Sequence, residues 1–105
     1  MTQKDLRLIF YALSDDIRLE IVRIVMLKKE VCVCSFMSYF DISQPRISFH
    51  LRILKNASIL KARKEGKWTY YSLNENNEII RVLKKFILEG VEIKDIDNMY
   101  CEVKS

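Results

Sequence analysis

Apolar residues along the first half of the chain recur at helical spacing. Leu6, Ile9, Phe10 and Leu13 predict a first helix over about residues 5–13, and Leu8 and Ala12 widen its apolar face, as burial on two sides requires. Ser14 is a suitable N-cap for a second helix, with Asp15 and Asp16 in the turn where the helix dipole favours acids. Ile17, Ile21, Ile24 and Val25, extended by Leu27, form its stripe to about Lys28-Lys29. A short third helix falls within residues 31–40, with Phe36, Tyr39 and Phe40 inward, and Asp41-Ile42 makes a tight connection. Ser43 then caps a fourth helix. Pro45 is tolerated in its first turn, where the missing N–H has no intrahelical partner. Ile47, Leu51 and Leu54 face inward, and the helix is expected to stop near Asn56, a residue that tolerates left-handed geometry.

From Ile59 the period becomes two. Residues 59–63 and 68–73 read as strands, joined by Lys64-Glu65-Gly66-Lys67 with glycine where positive φ is expected. Asn74 is placed as the cap of a last helix carrying Ile79, Ile80, Leu83, Phe86 and Ile87. Ile93, Ile96, Met99 and Tyr100 continue into a tail. The expected fold is mainly α with a small β-hairpin wing: a winged helix-turn-helix of about five helices and two antiparallel strands. A single domain is expected over residues 1–93, followed by a tail over 94–105.

Composition narrows the function. The chain has 105 residues, half of them apolar, and a net charge of +4. A domain this small is thinly stabilised alone and gains from dimerising. No apolar run approaches a membrane span, and Met1 to Arg7 does not read as a signal peptide, so a cytoplasmic protein with no membrane partner is expected. The charge is segregated. Residues 1–41 are neutral and 74–105 carry net −2. Residues 42–73 carry Arg46, Arg52, Lys55, Lys61, Arg63, Lys64 and Lys67 against Glu65 alone. A basic middle third is either a solvated surface or a face for a polyanion.

Its spacing favours double-stranded DNA. A short helix, a tight turn, a capped helix and a basic hairpin place the N-terminal residues of the capped helix at base edges in the major groove. Gln44 can pair with adenine and Arg46 with guanine or phosphate. Ser48 can bond either, while Ser43 serves as cap or contact. Phe49 can meet a thymine methyl or stand as an exposed aromatic. Arg52, Arg63, Lys64 and Lys67 suit the backbone. His50, beside Leu51, is more often a packed helix histidine than a base reader. With no Cys-x-x-Cys and its one histidine on this helix, the chain offers no basis for thiol oxidoreductase or cysteine hydrolase chemistry. A dimeric protein-binding module with an incidental basic stretch is the remaining competitor.

Cys32 and Cys34 flank Val33 at the start of the third helix. A thiol at a helix N-terminus has a lowered pKa and is more available to a soft metal. On a regular helix, side chains two apart point about 200° apart and cannot share an ion, whereas on extended backbone they lie on one side. Chelation is therefore expected to open the first turn of that helix. Without a metal, the two cysteines serve as small core apolars.

Three segments together resemble one family. They are Leu13-Ser14-Asp15-Asp16-Ile17-Arg18-Leu19; Ile42 through Leu51, with Ser43-Gln44-Pro45 and Ser48-Phe49-His50-Leu51; and Arg63 through Leu73, with Trp68-Thr69-Tyr70-Tyr71. With Val31-Cys32-Val33-Cys34, they resemble the ArsR/SmtB metal-sensing repressors, over about residues 6–90. The resemblance implies a homodimer through the first and last helices, here Leu6, Ile9, Phe10, Leu83, Phe86 and Ile87. It also implies a repressor that an effector releases from operator DNA, an inverted repeat being expected. Cys-Val-Cys implies As(III) or Sb(III) as effector, or Cd(II) or Pb(II). The arsenic-sensing members commonly place a third cysteine where this chain has Met37, so Cys101 or a small thiol is left as third ligand. The last helix has no histidine, which speaks against a zinc site there. Thiol oxidation involving Cys101 is the alternative trigger. Three features depart from the pattern: Asp16-Ile17 for Pro-Thr, Phe49 for a basic or polar residue, and Ser58 for glycine.

Overall fold

The computed structural model describes residues 1–89. Element order is α1 (Gln3–Leu13), α2 (Asp16–Lys28), β1 (Glu30–Cys32), α3 (Val33–Phe40), α4 (Gln44–Asn56), β2 (Leu60–Glu65), β3 (Trp68–Leu73) and α5 (Glu78–Leu88). The five helices and the hairpin lie where the periodicity puts them. The sheet has three strands, ordered β1-β3-β2 and antiparallel throughout. The expected two strands omitted β1, whose three residues are too short for a period-two signal. The tail, with Ile93, Ile96, Met99, Tyr100 and Cys101, lies outside the described residues.

Ile21, Val22, Ile24 and Val25 of α2 form the centre of the core. Around them pack Ile9 and Ala12 of α1, Phe36 of α3, Ile47, Leu51 and Leu54 of α4, and Ile80 of α5. Leu27 instead stands exposed.

Three caps differ from expectation. Asp15, not Ser14, caps α2 by accepting the Arg18 N–H, while Ser14 closes α1 and donates its hydroxyl to the Tyr11 carbonyl. A carboxylate both caps the helix and meets its dipole. Asn77, not Asn74, caps α5, accepting the Ile79 and Ile80 N–H groups. Asn74 belongs to the preceding turn. Asn56 remains helical, and the left-handed residue is Ser58, with φ +61°. The Ser58 N–H donates to the Lys55 carbonyl and the Ile59 N–H to that of Leu54, closing α4 in a Schellman motif. The Ser58 carbonyl accepts the side-chain amides of Asn74 and Asn77. The residue in the glycine position thus keeps the glycine geometry, held by two outside donors.

Arg18 ties the helices together. It is 5% exposed. Its Nε donates to the Ala12 carbonyl at 2.9 Å, a second nitrogen reaches the Tyr11 carbonyl, and Nη1 donates to His50 Nδ1 at 3.0 Å. A guanidinium only donates, so Nδ1 is an acceptor and the imidazole is neutral with its proton on Nε2. Burial pushes the His50 pKa down, Arg18 and Arg46 add to this, and Asp15, 3.9 Å away, opposes it.

The sign of the pH effect follows. The unfolded chain binds more protons than the folded one in the interval below about 6.5, down to the lowered folded value. The stability due to this pair is complete above that interval and is lost as pH falls through it. NMR titration of the single imidazole should give a midpoint below 6.5, and thermal melts of His50→Gln should show a flatter dependence between pH 5 and 7. A midpoint at or above 6.5 would contradict this arrangement.

Candidate nucleic-acid interface and thiol site

Helices α3 and α4 form the helix-turn-helix. Asp41, with φ +56°, ends α3 and turns the chain within three residues, and Ser43 accepts the Arg46 N–H to start α4. Ile47, His50, Leu51 and Leu54 are buried, which fixes the rotation of α4. Gln44, Arg46, Phe49, Arg52 and Lys55 are left exposed and Ser48 half-buried, as their outward assignment requires. The Phe49 ring meets the His50 ring edge to face, with centroids 5.3 Å apart.

The wing qualifies one expectation. Gly66 turns the hairpin with φ +63°, and Lys64 and Lys67 are exposed beside it, Lys67 over the Trp68 ring. Arg63 is not a free cation. Its Nε and Nη2 donate to both Glu30 oxygens at 3.0 and 2.9 Å, Nη1 donates to Glu65 at 2.6 Å, and the guanidinium covers the Tyr70 ring. Each guanidinium nitrogen donates to a carboxylate, so Arg63 braces the wing while its side chain stays half exposed beside Lys64. These bonds also hold the Glu30 carboxyl below its usual pKa. Sequence reasoning missed this because Glu30 lies 33 residues away and only β1 brings it alongside.

The thiol pair differs from expectation. Cys32 is not in the helix. It ends β1, pairs across to Tyr70 of β3, and caps α3 with extended φ −78° and ψ 147°. Cys34 is the second residue of α3. This bend brings the two sulfurs to 3.4 Å without opening any turn. Cys32 is a buried free thiol. The pair borders a cleft of about 300 Å³ lined also by Met37, Gln44 of α4, and Lys67 and Trp68 of the wing. Among the described residues no group of three His, Cys, Asp or Glu side chains gathers to hold a metal. Reduced to thiolates, the pair would suit a soft ion and leave its coordination incomplete.

The presumed dimer residues divide. Leu6, Phe10 and Phe86 are exposed, with Tyr11 and Val82 beside them, and Leu83 is half-buried. Ile9 and Ile87 are 1% and 7% exposed within the single chain. They are core residues that support this surface and add little area to it. No helix of the described residues is long and apolar enough to cross a membrane.

Residues 15–62 match the model of the bacterial regulatory protein, arsR family. The chain is 40% identical over 92 residues to a cadmium resistance transcriptional regulatory protein CadC homolog of Staphylococcus aureus, covering 88% of this chain and 75% of that one. It is 30% identical over its whole length to an arsenical resistance operon repressor of Staphylococcus aureus, covering 94% of that protein. Among solved structures it is similar to HlyU from Vibrio cholerae, with TM-score 0.66 and 26% identity, over 82% of this chain and 97% of that one. A homodimeric winged helix-turn-helix DNA-binding domain from Mycobacterium bovis shares the fold, with TM-score 0.66 and 22% identity, over 85% and 83% of the two chains. With its winged helix-turn-helix fold and a relative this similar over most of both chains, the protein belongs to the ArsR family of transcriptional regulators.

Proposed function

We propose that the chain is a cytoplasmic transcriptional repressor that binds operator DNA as a homodimer and is released by As(III) or Sb(III) held at Cys32 and Cys34. The observation that carries the site assignment is the convergence of the two sulfurs, 3.4 Å apart, at the junction of β1 and α3. A soft, thiolate-seeking ion suits that pair. Similarity to an arsenical resistance operon repressor favours As(III) or Sb(III). The third thiolate then comes from Cys101 or a small thiol. Cd(II) or Pb(II) is the second reading, favoured by the similarity to a cadmium resistance regulator. Both readings need the pair reduced, so a peroxide arm distinguishes thiol oxidation.

Coupling to DNA follows from where the pair sits. Cys32 pairs through its strand with the wing, and Cys34 lies in the first turn of the helix that packs on α4. Holding both sulfurs on one ion fixes this junction, and the cleft beside it is bordered by Gln44 and Lys67, one from each DNA-facing element. A coupling of ~1–3 kcal/mol is the usual size for such a switch. Cys32→Ser and Cys34→Ser should each retain operator binding in gel shifts and lose release by arsenite. Met37→Cys should tighten arsenite binding, because residue 37 lines the same cleft. Release that persists in the double serine variant would refute the site.

The DNA reading rests on Gln44, Arg46, Ser48, Arg52, Lys64 and Lys67, with dimerisation through the exposed apolar residues of α1 and α5. A two-fold dimer reads two half-sites, hence an inverted repeat. If a dimer engages about six phosphates, log affinity should fall against log salt with slope near −5. Lys64→Ala should weaken all sequences alike, and Arg46→Ala should cost ~1–3 kcal/mol on the cognate site. Arg63→Ala should leave the salt slope unchanged while lowering the melting temperature. Phe86→Asp should sediment as a monomer with much weaker operator affinity. A flat salt response contradicts DNA binding, and a monomeric wild type at micromolar concentration contradicts the dimer.

A further inference from the structure

The outermost line of α4 is not the polar surface that a base-reading helix ordinarily presents. Opposite the buried Ile47, Leu51 and Leu54 lie Pro45, Phe49, Arg52 and Asn56 at i, i+4, i+7 and i+11, all exposed. Phe49 is the large apolar group on that line and is 48% exposed. Its ring is not loose. It rests edge to face against His50, and His50 is fixed from behind by Arg18. Its exposed half sets an apolar group on an otherwise polar and basic face.

The surroundings say which partner. Arg46, Arg52 and Lys55 are the exposed charged residues of the same helix, Lys64 and Lys67 lie on the wing, and α4 carries no acidic residue. That charge suits a polyanion and disfavours an ordinary protein surface. Within the major groove every base edge offers donors or acceptors except one apolar group, the C5 methyl of thymine. We infer that Phe49 is a specificity-determining residue that reads a thymine methyl in each half-site, with Arg52 holding the flanking backbone. This rests on the DNA-regulator reading above and adds to it the identity of one base.

The test removes the methyl and nothing else. The wild-type chain first selects a site from random duplex DNA, and each dT of that site is then replaced singly by dU at fixed salt. Losing one buried methyl should weaken binding about four-fold at one position in a half-site, and about sixteen-fold when both half-sites are changed. In Phe49→Ala the same replacement should have no effect, while the salt slope stays at the wild-type value. Phe49→Leu, which keeps an apolar contact, should retain part of the discrimination. Phe49 is exposed, so both variants should keep the wild-type melting temperature. The inference is overturned if no dU step weakens wild-type binding, or if the loss is the same size in Phe49→Ala. If the wild type selects no sequence and its binding ignores salt, the underlying DNA reading has failed with it.

Discussion

The arrangement depends on the pairing of three residues, Glu30–Cys32, with the wing strand β3. This pairing keeps Cys32 extended, so Cys32 cannot join the helix that follows, and the next turn carries Cys34 back to within 3.4 Å of it. The same strand brings the Glu30 carboxylate to Arg63, which braces the hairpin. A three-residue strand thus sets the thiol spacing, joins the thiols to the wing, and places the brace on the hairpin. Had Cys32 been the first residue of α3, neither sulfur could share an ion with the other without breaking helical hydrogen bonds.

A second constraint works from the other side of α4. Arg18 is buried, and its cost is offset because its nitrogens reach two carbonyls at the end of α1 and the His50 ring. Through it the C-terminus of α1, whose outer face carries Leu6 and Phe10, is fixed to the helix that carries Gln44, Arg46 and Phe49. In the proposed dimer, the spacing between two reading helices is then set by a buried polar cluster as well as by apolar packing. The thiol junction reaches α4 by way of α3 and the wing, and the dimer face reaches it by way of Arg18. The two routes meet on one helix.

Much of this was legible in the sequence, for reasons tied to particular residues. Apolar spacing placed five helices and the hairpin, and Ser43 with Pro45 marked the start of α4 correctly. The outward residues of α4 followed from its inward stripe. Segment by segment, the family resemblance matched the fold. What the sequence hid was short or non-local. β1 is too brief for periodicity to reveal. Neighbouring residues competed for the cap positions, Ser14 with Asp15 and Asn74 with Asn77, and hydrogen-bond geometry chose between them. Arg63 looked like the other wing cations because its carboxylate partner is distant in the chain. Ile9 and Ile87 read as interface residues because a helix buried on two sides shows one wide apolar face, without saying which side meets its own core.

The central claim is that the thiol pair and the DNA face are energetically coupled through the β1–α3 junction. Linkage makes this testable from the side of the ion, because coupling between two sites is reciprocal. Arsenite affinity of the reduced wild-type protein should be measured calorimetrically without DNA and again with saturating operator. Arsenite should bind the DNA complex more weakly, by the same factor by which saturating arsenite weakens operator binding. Equal arsenite affinity in the two states would contradict the account, because an ion bound at Cys32 and Cys34 would then be indifferent to the surface that reads DNA.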